Sequence, residues 1–202
     1  MITAMDDSIQ RVLEALKRKG MRENTIVVFM SDNGGPLSAE IASGTGGTAA
    51  GLKLPAVNTP LRDGKSTLYE GGVRTPFFAR WPAGLPAGGR FDSPVAHVDI
   101  FATAAGAAGA TLPGDRVIDG VDLVKRVRGE APGRPQDAIF WRSGHYRSIL
   151  AGDWKLQVSE RPKRTWLFDL ARDPTERDDL SAVRPDKLAE LSALLAAHEA
   201  QM

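Results

Sequence analysis

The chain has 202 residues, 42% of them hydrophobic, and its 26 Lys and Arg nearly cancel its 25 Asp and Glu, leaving a formal charge of +1. That length and apolar share suit one domain, or part of a domain with a small one beside it, and argue against disorder. Balanced charge without a run of five or six like residues excludes a nucleic-acid track and a membrane-surface patch. The lack of cysteine removes disulfides, thiolate metal sites and thiol nucleophiles together and leaves the redox compartment open.

The opening MITAMDDSIQRVLEALKRKG lacks the basic-then-apolar layout of a secretory leader, and no apolar run approaches a membrane span. The expectation is a soluble chain without an address, with no membrane and no nucleic-acid partner. Its compartment is left undetermined.

Ile2, Met5, Ile9, Val12, Leu13 and Leu16 fall on one helical face, with Lys17, Arg18 and Lys19 near the end and Gly20 as the stop. This predicts an amphipathic helix over about residues 3–19. Thr3 and Asp6 fit a capping box, while Ile2 already lies on the apolar face as though a turn preceded it.

TIVVFMS at 25–31 is apolar and β-branched without alternation, as in a strand covered on both faces, so helix then strand suggests an α/β sheet. Residues 34–58, rich in Gly, Ala, Ser and Thr, predict a long loop. A second apolar strand follows at 75–81, then a helix at 94–109 with Pro94 in its first turn. Val95, Val98, Phe101 and Ala105 are its expected buried face.

RVRGEAPGRPQD at 126–137 reads as a connector. Beyond it, strands at 138–142, 146–151, 154–158 and 165–169 predict an antiparallel meander with a tight turn at Gly152-Asp153. A closing helix over 185–201 carries Leu188, Leu191, Leu195 and His198 on the face expected to cross that meander. Only two convincing sheet strands precede residue 125, fewer than a buried parallel sheet needs, so the first part reads as an incomplete sheet with a bare edge open to association.

Two segments offer chemistry. Ser31-Asp32-Asn33-Gly34-Gly35 sits where a strand ends, the place where open α/β sheets gather ligands, and Asp with Asn supplies hard oxygens suited to Ca²⁺ or Mg²⁺. On the pentapeptide alone, a plain Asn-Gly turn is the simpler account. NTPLRDGKSTLYEGGVRTP at 58–76 offers Lys65 as a point charge for an oxyanion, with Arg62 and Arg74 as further candidates. The plain alternative is a solvated loop in which Glu70 meets Arg62 or Arg74.

Together, FMSDNGG and NTPLRDGKSTLYEGGVRTPFFARWP resemble the sulfatase family in order, spacing and local sequence. The likeness continues through SPVAHVDIFATAAGAAG, DGVDL, WKLQ and LFDLARDPTERDDLS, and includes the helix and strand before the metal-binding turn. It implies an α/β fold: part of an alkaline-phosphatase/sulfatase-like sheet, then a small antiparallel sheet with a C-terminal helix. The implied domains are 1–125 for the partial sheet, 126–137 for the linker and 138–202 for the small subdomain.

Carried over by resemblance, Asp32 and Asn33 match divalent-metal ligands, usually for calcium with magnesium as the alternative, and Lys65 matches a catalytic lysine that contacts sulfate. The implied substrate is a sulfate ester. Asn33 stands where related zinc phosphoesterases usually have histidine, which favours a sulfatase over a phosphoric ester hydrolase. His97 is expected to serve at a helix terminus, and the three histidines have no metal-ligand spacing.

Departures from the family are specific. Its nucleophile is a formylglycine made from Cys or Ser in a Cys/Ser-x-Pro-x-Arg motif, yet this chain has no Cys and no Ser two residues before any proline. The remaining metal aspartates, second lysine and active-site histidine of the family also lack counterparts. Asp63 and Ser66 stand where glycine is common, and an inward Asp63 carboxylate would weaken anion binding. A truncated sulfatase, inactive alone, is therefore the leading expectation, with a non-catalytic sulfate- or metal-binding module as the alternative.

Overall fold

The computed structural model describes residues 2–37 and 57–201, so the expected 34–58 loop lies mostly outside the described residues. The chain divides into two compact units, one formed by Met1–Phe29 with Phe77–Gln136 and the other by Met30–Pro76 with Asp137–Met202. The segment carrying Asp32, Asn33 and Lys65 thus belongs with the C-terminal sheet, although the sequence places it among the residues of the first sheet.

In the first unit, α1 spans Ile2–Arg18, and Lys17 and Arg18 in its last turn complement the helix dipole. Gly20, at φ 68°, supplies the left-handed stop. The apolar stripe predicted for this helix exists but contains no buried residue, and Ile2, Met5 and Val12 are exposed. Strands β1 (Val27–Met30) and β2 (Phe77–Arg80) pair as a two-stranded sheet.

One face of β1 and β2 carries Val28, Phe77 and Ala79 toward Ile100 and Val124. On its other face Phe29 is 42% and Phe78 64% exposed. The expectation of a strand covered on both faces is therefore corrected to one half-buried face that lines an apolar cavity and one exposed face.

The second helix of this unit, α3, spans Asp99–Ala107 rather than starting near Pro94. It follows the one-turn α2 (Glu70–Val73) of the other unit in chain order. Its buried face is also corrected: Asp99 and Ala102 are buried, whereas Val98 and Phe101 are exposed. The cause is polar. Asp99 accepts the Ala96 N–H at 2.7 Å and the Val121 N–H at 2.9 Å, which draws residues 119–123 along the 99/102/106 side. Gly120 and Gly106 allow that approach, since a Cβ would lie 2.0 Å from the Val98 carbonyl oxygen and 2.4 Å from an Asp122 oxygen respectively. A short helix α4 (Val124–Val127) follows.

In the second unit the meander forms as expected: β3 (Ala138–Ser143), β4 (Tyr146–Ala151), β5 (Trp154–Glu160) and β6 (Lys163–Asp169) lie in sequence order, all antiparallel. Ala151 pairs with Trp154, so Gly152, at φ 61°, and Asp153 make the tight turn. Helix α5 (Pro185–Glu199) crosses one face. Its Leu191 and Leu195 pack with Ile149, Leu156 and Leu167, with Leu188 at the margin, and its His198 stacks on Phe140 at 3.8 Å. Each buried leucine or isoleucine there contributes about 1.5–3 kcal/mol.

Strand alternation sends Lys155, Gln157 and Ser159 to the opposite face, where all three are buried. Beside them, Trp166 and Phe168 enclose Tyr69 of the 57–74 segment. That second face positions the candidate site.

Candidate functional site

As β1 ends, Ser31 Oγ donates to the Asn33 carbonyl oxygen at 2.8 Å, and Asp32 Oδ1 accepts the Asn33 N–H at 3.0 Å. Asn33 Nδ2 is committed to the Gly34 carbonyl at 2.8 Å, which leaves its amide oxygen as the remaining ligating atom. Asp32 is exposed and Asn33 half-buried.

Gly34 has a steric reason. Its N–H donates to the Gly72 carbonyl at 2.9 Å, and a Cβ on it would lie 1.7 Å from the Gly71 carbonyl oxygen. The turn therefore lies flat against α2, which only glycine permits.

The second segment is laced to the first. Asn58 accepts the Gly35 N–H at 3.1 Å and donates to the Gly35 carbonyl at 2.8 Å and the Asp63 carbonyl at 3.0 Å. The Lys65 N–H donates to the Gly35 carbonyl at 3.1 Å. The structure thus brings the 31–35 turn and the lysine loop into one hydrogen-bonded assembly, with the Lys65 side chain exposed.

Asp63 (φ 62°) and Ser66 (φ 74°) occupy the left-handed region on either side of Gly64-Lys65. This explains why glycine suits both positions and why the two side chains carry a backbone cost here.

Arg62 and Arg74 are engaged as structural groups. The Arg62 guanidinium lies 4.0 Å over the Tyr69 ring and donates to the Glu176 carbonyl at 2.6 Å. Arg74 pairs with Glu70 at 3.9 Å from a mostly exposed position. The expected Glu70–Arg74 contact is present, but it is not the main partner of Glu70.

That partner is Lys155, which sequence reasoning missed. Lys155 Nζ reaches Glu70 Oε1 at 2.8 Å and Glu176 Oε1 at 2.9 Å, with the side chains of Lys155 and Glu176 both 0% exposed. Glu176 Oε2 accepts the Glu70 N–H at 2.6 Å. Burial pushes the Glu176 carboxyl above its usual range, more than the Lys155 charge and hydrogen bonds lower it. Burial likewise raises Tyr69, against the opposing pull of Arg62. Lys155 falls within the WKLQ segment of the family likeness, but nothing in that segment names its partners.

Among the described residues no group of three or more His, Cys, Asp or Glu is arranged to hold a metal. Asp32 and Asn33 offer two side-chain oxygens, fewer than the six or more that calcium takes, so they do not enclose a cation by themselves. His97 lies exposed in the turn before α3, and His145 packs on Tyr146 at 4.3 Å. No helix among the described residues is long and apolar enough to cross a membrane.

A family model described as Sulfatase matches residues 1–110. The chain is 32% identical to the steryl-sulfatase of Mus musculus over 214 residues, covering 89% of this chain and 33% of the relative. It is 34% identical to the N-acetylgalactosamine-6-sulfatase of Mus musculus over 158 residues, covering 78% of this chain and 28% of the relative. The solved structure of Ps i-CgsB in complex with k-i-k-neocarrahexaose superposes with a TM-score of 0.77 at 29% identity, over 100% of this chain and 41% of that one. The chain spans about a third of the length of the curated relatives it matches.

Proposed function

This chain belongs to the sulfatase family, and on that premise we propose that it is the carboxy-terminal portion of a sulfuric ester hydrolase. In this reading Lys65 contacts the sulfate group, and Asp32 and Asn33 give two oxygens to a calcium ion, or magnesium in its place. The observation that carries it is the stitching of the two loops: the Lys65 N–H bonds the carbonyl of Gly35, two residues after Asn33. That bond keeps an ammonium and a pair of hard oxygens on one scaffold.

A bound divalent ion would supply electrophilic stabilisation of charge on the sulfuryl oxygens. The chain's own groups do the rest of what this portion contributes. Lys65 would add a positive charge at the anion, Asn58 orients the Gly35 carbonyl, and the Asp32 carboxylate with the Asn33 amide oxygen would hold the hard cation. With no cysteine and no serine in a Ser-x-Pro setting, the chain carries no precursor of the formylglycine nucleophile, so it does not hydrolyse sulfate esters unaided. The substrate is a sulfate ester of undefined alcohol, consistent with relatives named for a steryl and for a sugar sulfate.

The test is calorimetric titration of the 202-residue chain with inorganic sulfate in the presence of calcium, alongside a chromogenic aryl sulfate assay. Lys65→Ala is expected to weaken sulfate binding about tenfold or more, the worth of a charge-assisted contact, and no turnover is expected from either form. Turnover that survives Lys65→Ala, or sulfate affinity indifferent to it, overturns the reading. Saturable sulfate binding that depends on Asp32 and calcium without any catalytic partner would favour a binding module instead.

A further inference from the structure

Segment 58–74 consists of turns and one helical turn, yet it must hold Lys65 and the Gly34 contact in register. Short one-turn elements do not keep a fixed geometry without outside support. Tyr69 packs the segment against Trp166 and Phe168, and beside that aromatic contact the structure shows polar support from one buried cation. Lys155, on the inner face of β5, reaches Glu70 at 2.8 Å and Glu176 at 2.9 Å. Glu70 is the first residue of α2, and its own N–H is taken by Glu176 at 2.6 Å.

From that anchor, hydrogen bonds run outward in both directions. Glu176 accepts Arg62 through its carbonyl at 2.6 Å, and the Arg62 carbonyl accepts the Gly71 N–H at 2.8 Å, which closes the loop around Lys65. At the other end of α2, the Gly72 carbonyl receives the Gly34 N–H at 2.9 Å, next to Asp32 and Asn33. Glu176 itself sits at φ 56°, a left-handed conformation that a residue other than glycine keeps only where its surroundings fix it.

We propose that Lys155 is a positioning residue for the sulfate and metal segment: its ammonium, supplied by the C-terminal sheet, pins Glu70 and Glu176 and so fixes α2, the Lys65 loop and the Asp32-Asn33 turn together. This rests on the reading that those loops form the site, but its principal test does not. Removing the charge frees α2 without disturbing the apolar core under α5, because Leu156, Leu167, Leu191 and Leu195 occupy the opposite face of the sheet.

The experiment is amide hydrogen exchange on the full 202-residue chain, comparing wild type with Lys155→Met/Glu70→Gln/Glu176→Gln, which removes all three charges and leaves no buried charge unpaired, only the mostly exposed Arg74 losing its 3.9 Å partner. Exchange at Gly34, Lys65, Gly71 and Gly72 is expected to accelerate about tenfold or more, while β4, β5 and α5 keep their protection. The single Glu70→Gln variant, a smaller perturbation, serves if the triple variant does not fold, and is expected to loosen the same four amides. Unchanged exchange at those amides, or a uniform rise across the sheet, overturns the proposal by showing either no link or ordinary global destabilisation. Inorganic sulfate titration of the same variants separates the two claims. Affinity that falls with Lys65→Ala but not with the triple variant refutes the positioning role alone, and affinity indifferent to Lys65→Ala refutes the site assignment while the exchange result stands.

Discussion

Replacing Lys155 by methionine keeps most of the side-chain volume and deletes one charge, leaving the carboxylates of Glu70 and Glu176 facing each other in a space from which water is excluded. Glu70 is 6% and Glu176 0% exposed, so solvent screens neither. Breaking a buried ion pair from one side typically costs about 3–5 kcal/mol, and here two anions lose one shared cation. At pH 7 the variant is therefore expected to lose about that much stability.

The cost falls with pH, and the sign follows from Glu176. Its carboxyl is already raised in the folded chain, and losing Lys155 raises it further. A group with a raised folded pKa contributes stability that is present below its unfolded value, near 4.5, and lost as pH climbs through the folded value. The variant should thus recover between neutral pH and about pH 5, by up to roughly 1.4 kcal/mol per pH unit for one proton. Urea unfolding followed by tryptophan fluorescence checks this, since Trp141, Trp154 and Trp166 lie on β3, β5 and β6. A loss below about 1 kcal/mol at pH 7, or an equal loss at pH 7 and pH 5, refutes the reasoning.

Ser66→Gly should raise the thermal midpoint slightly, because relief of a left-handed serine, worth about 1 kcal/mol or more, exceeds the added chain entropy, whereas Ser66→Val should lower it clearly. At Asp173 burial pushes the carboxyl up, but hydrogen bonds from Asp178, Thr175 and Arg177 win and hold it below the usual range. Its contribution is thus present above about pH 3.8 and fades as pH drops through the lowered value, so Asp173→Asn should flatten the acid limb of the stability profile. Phe29→Ser with Phe78→Ser removes the exposed aromatic pair, whose ring centroids lie 6.3 Å apart, and should reduce self-association in sedimentation; an unchanged mass would show that this face is not what associates.

The meander was legible because hydrophobic runs of strand length were separated by unambiguous turn residues, with Gly152-Asp153 the clearest. The closing helix was legible for the same reason, its leucines at helical spacing matching the face that meets Ile149 and Leu156. The face of α3 was not, because spacing rules weigh apolar residues while a fully buried Asp99 sets the orientation through three hydrogen bonds. Asp32, Asn33 and Lys65 stood out through local motif. Lys155 lies in the WKLQ segment and Glu176 in LFDLARDPTERDDLS, both part of the family likeness, but neither segment shows that the two meet each other and Glu70. Pairings that distant in sequence leave no local trace.

The separation of those partners also gives the site a birth order. Glu70 leaves the ribosome 85 residues ahead of Lys155, a delay of about 4–17 s at 5–20 residues per second, and Phe77–Gln136 of the other unit are made in the interval. Through that time the turn with Asp32 and Asn33 and the loop with Lys65 exist as sequence without their clamp. Strands β5 and β6 are made after the groups they brace, so nascent chains halted before β5 would display Asp32, Asn33 and Lys65 without the Lys155 anchor.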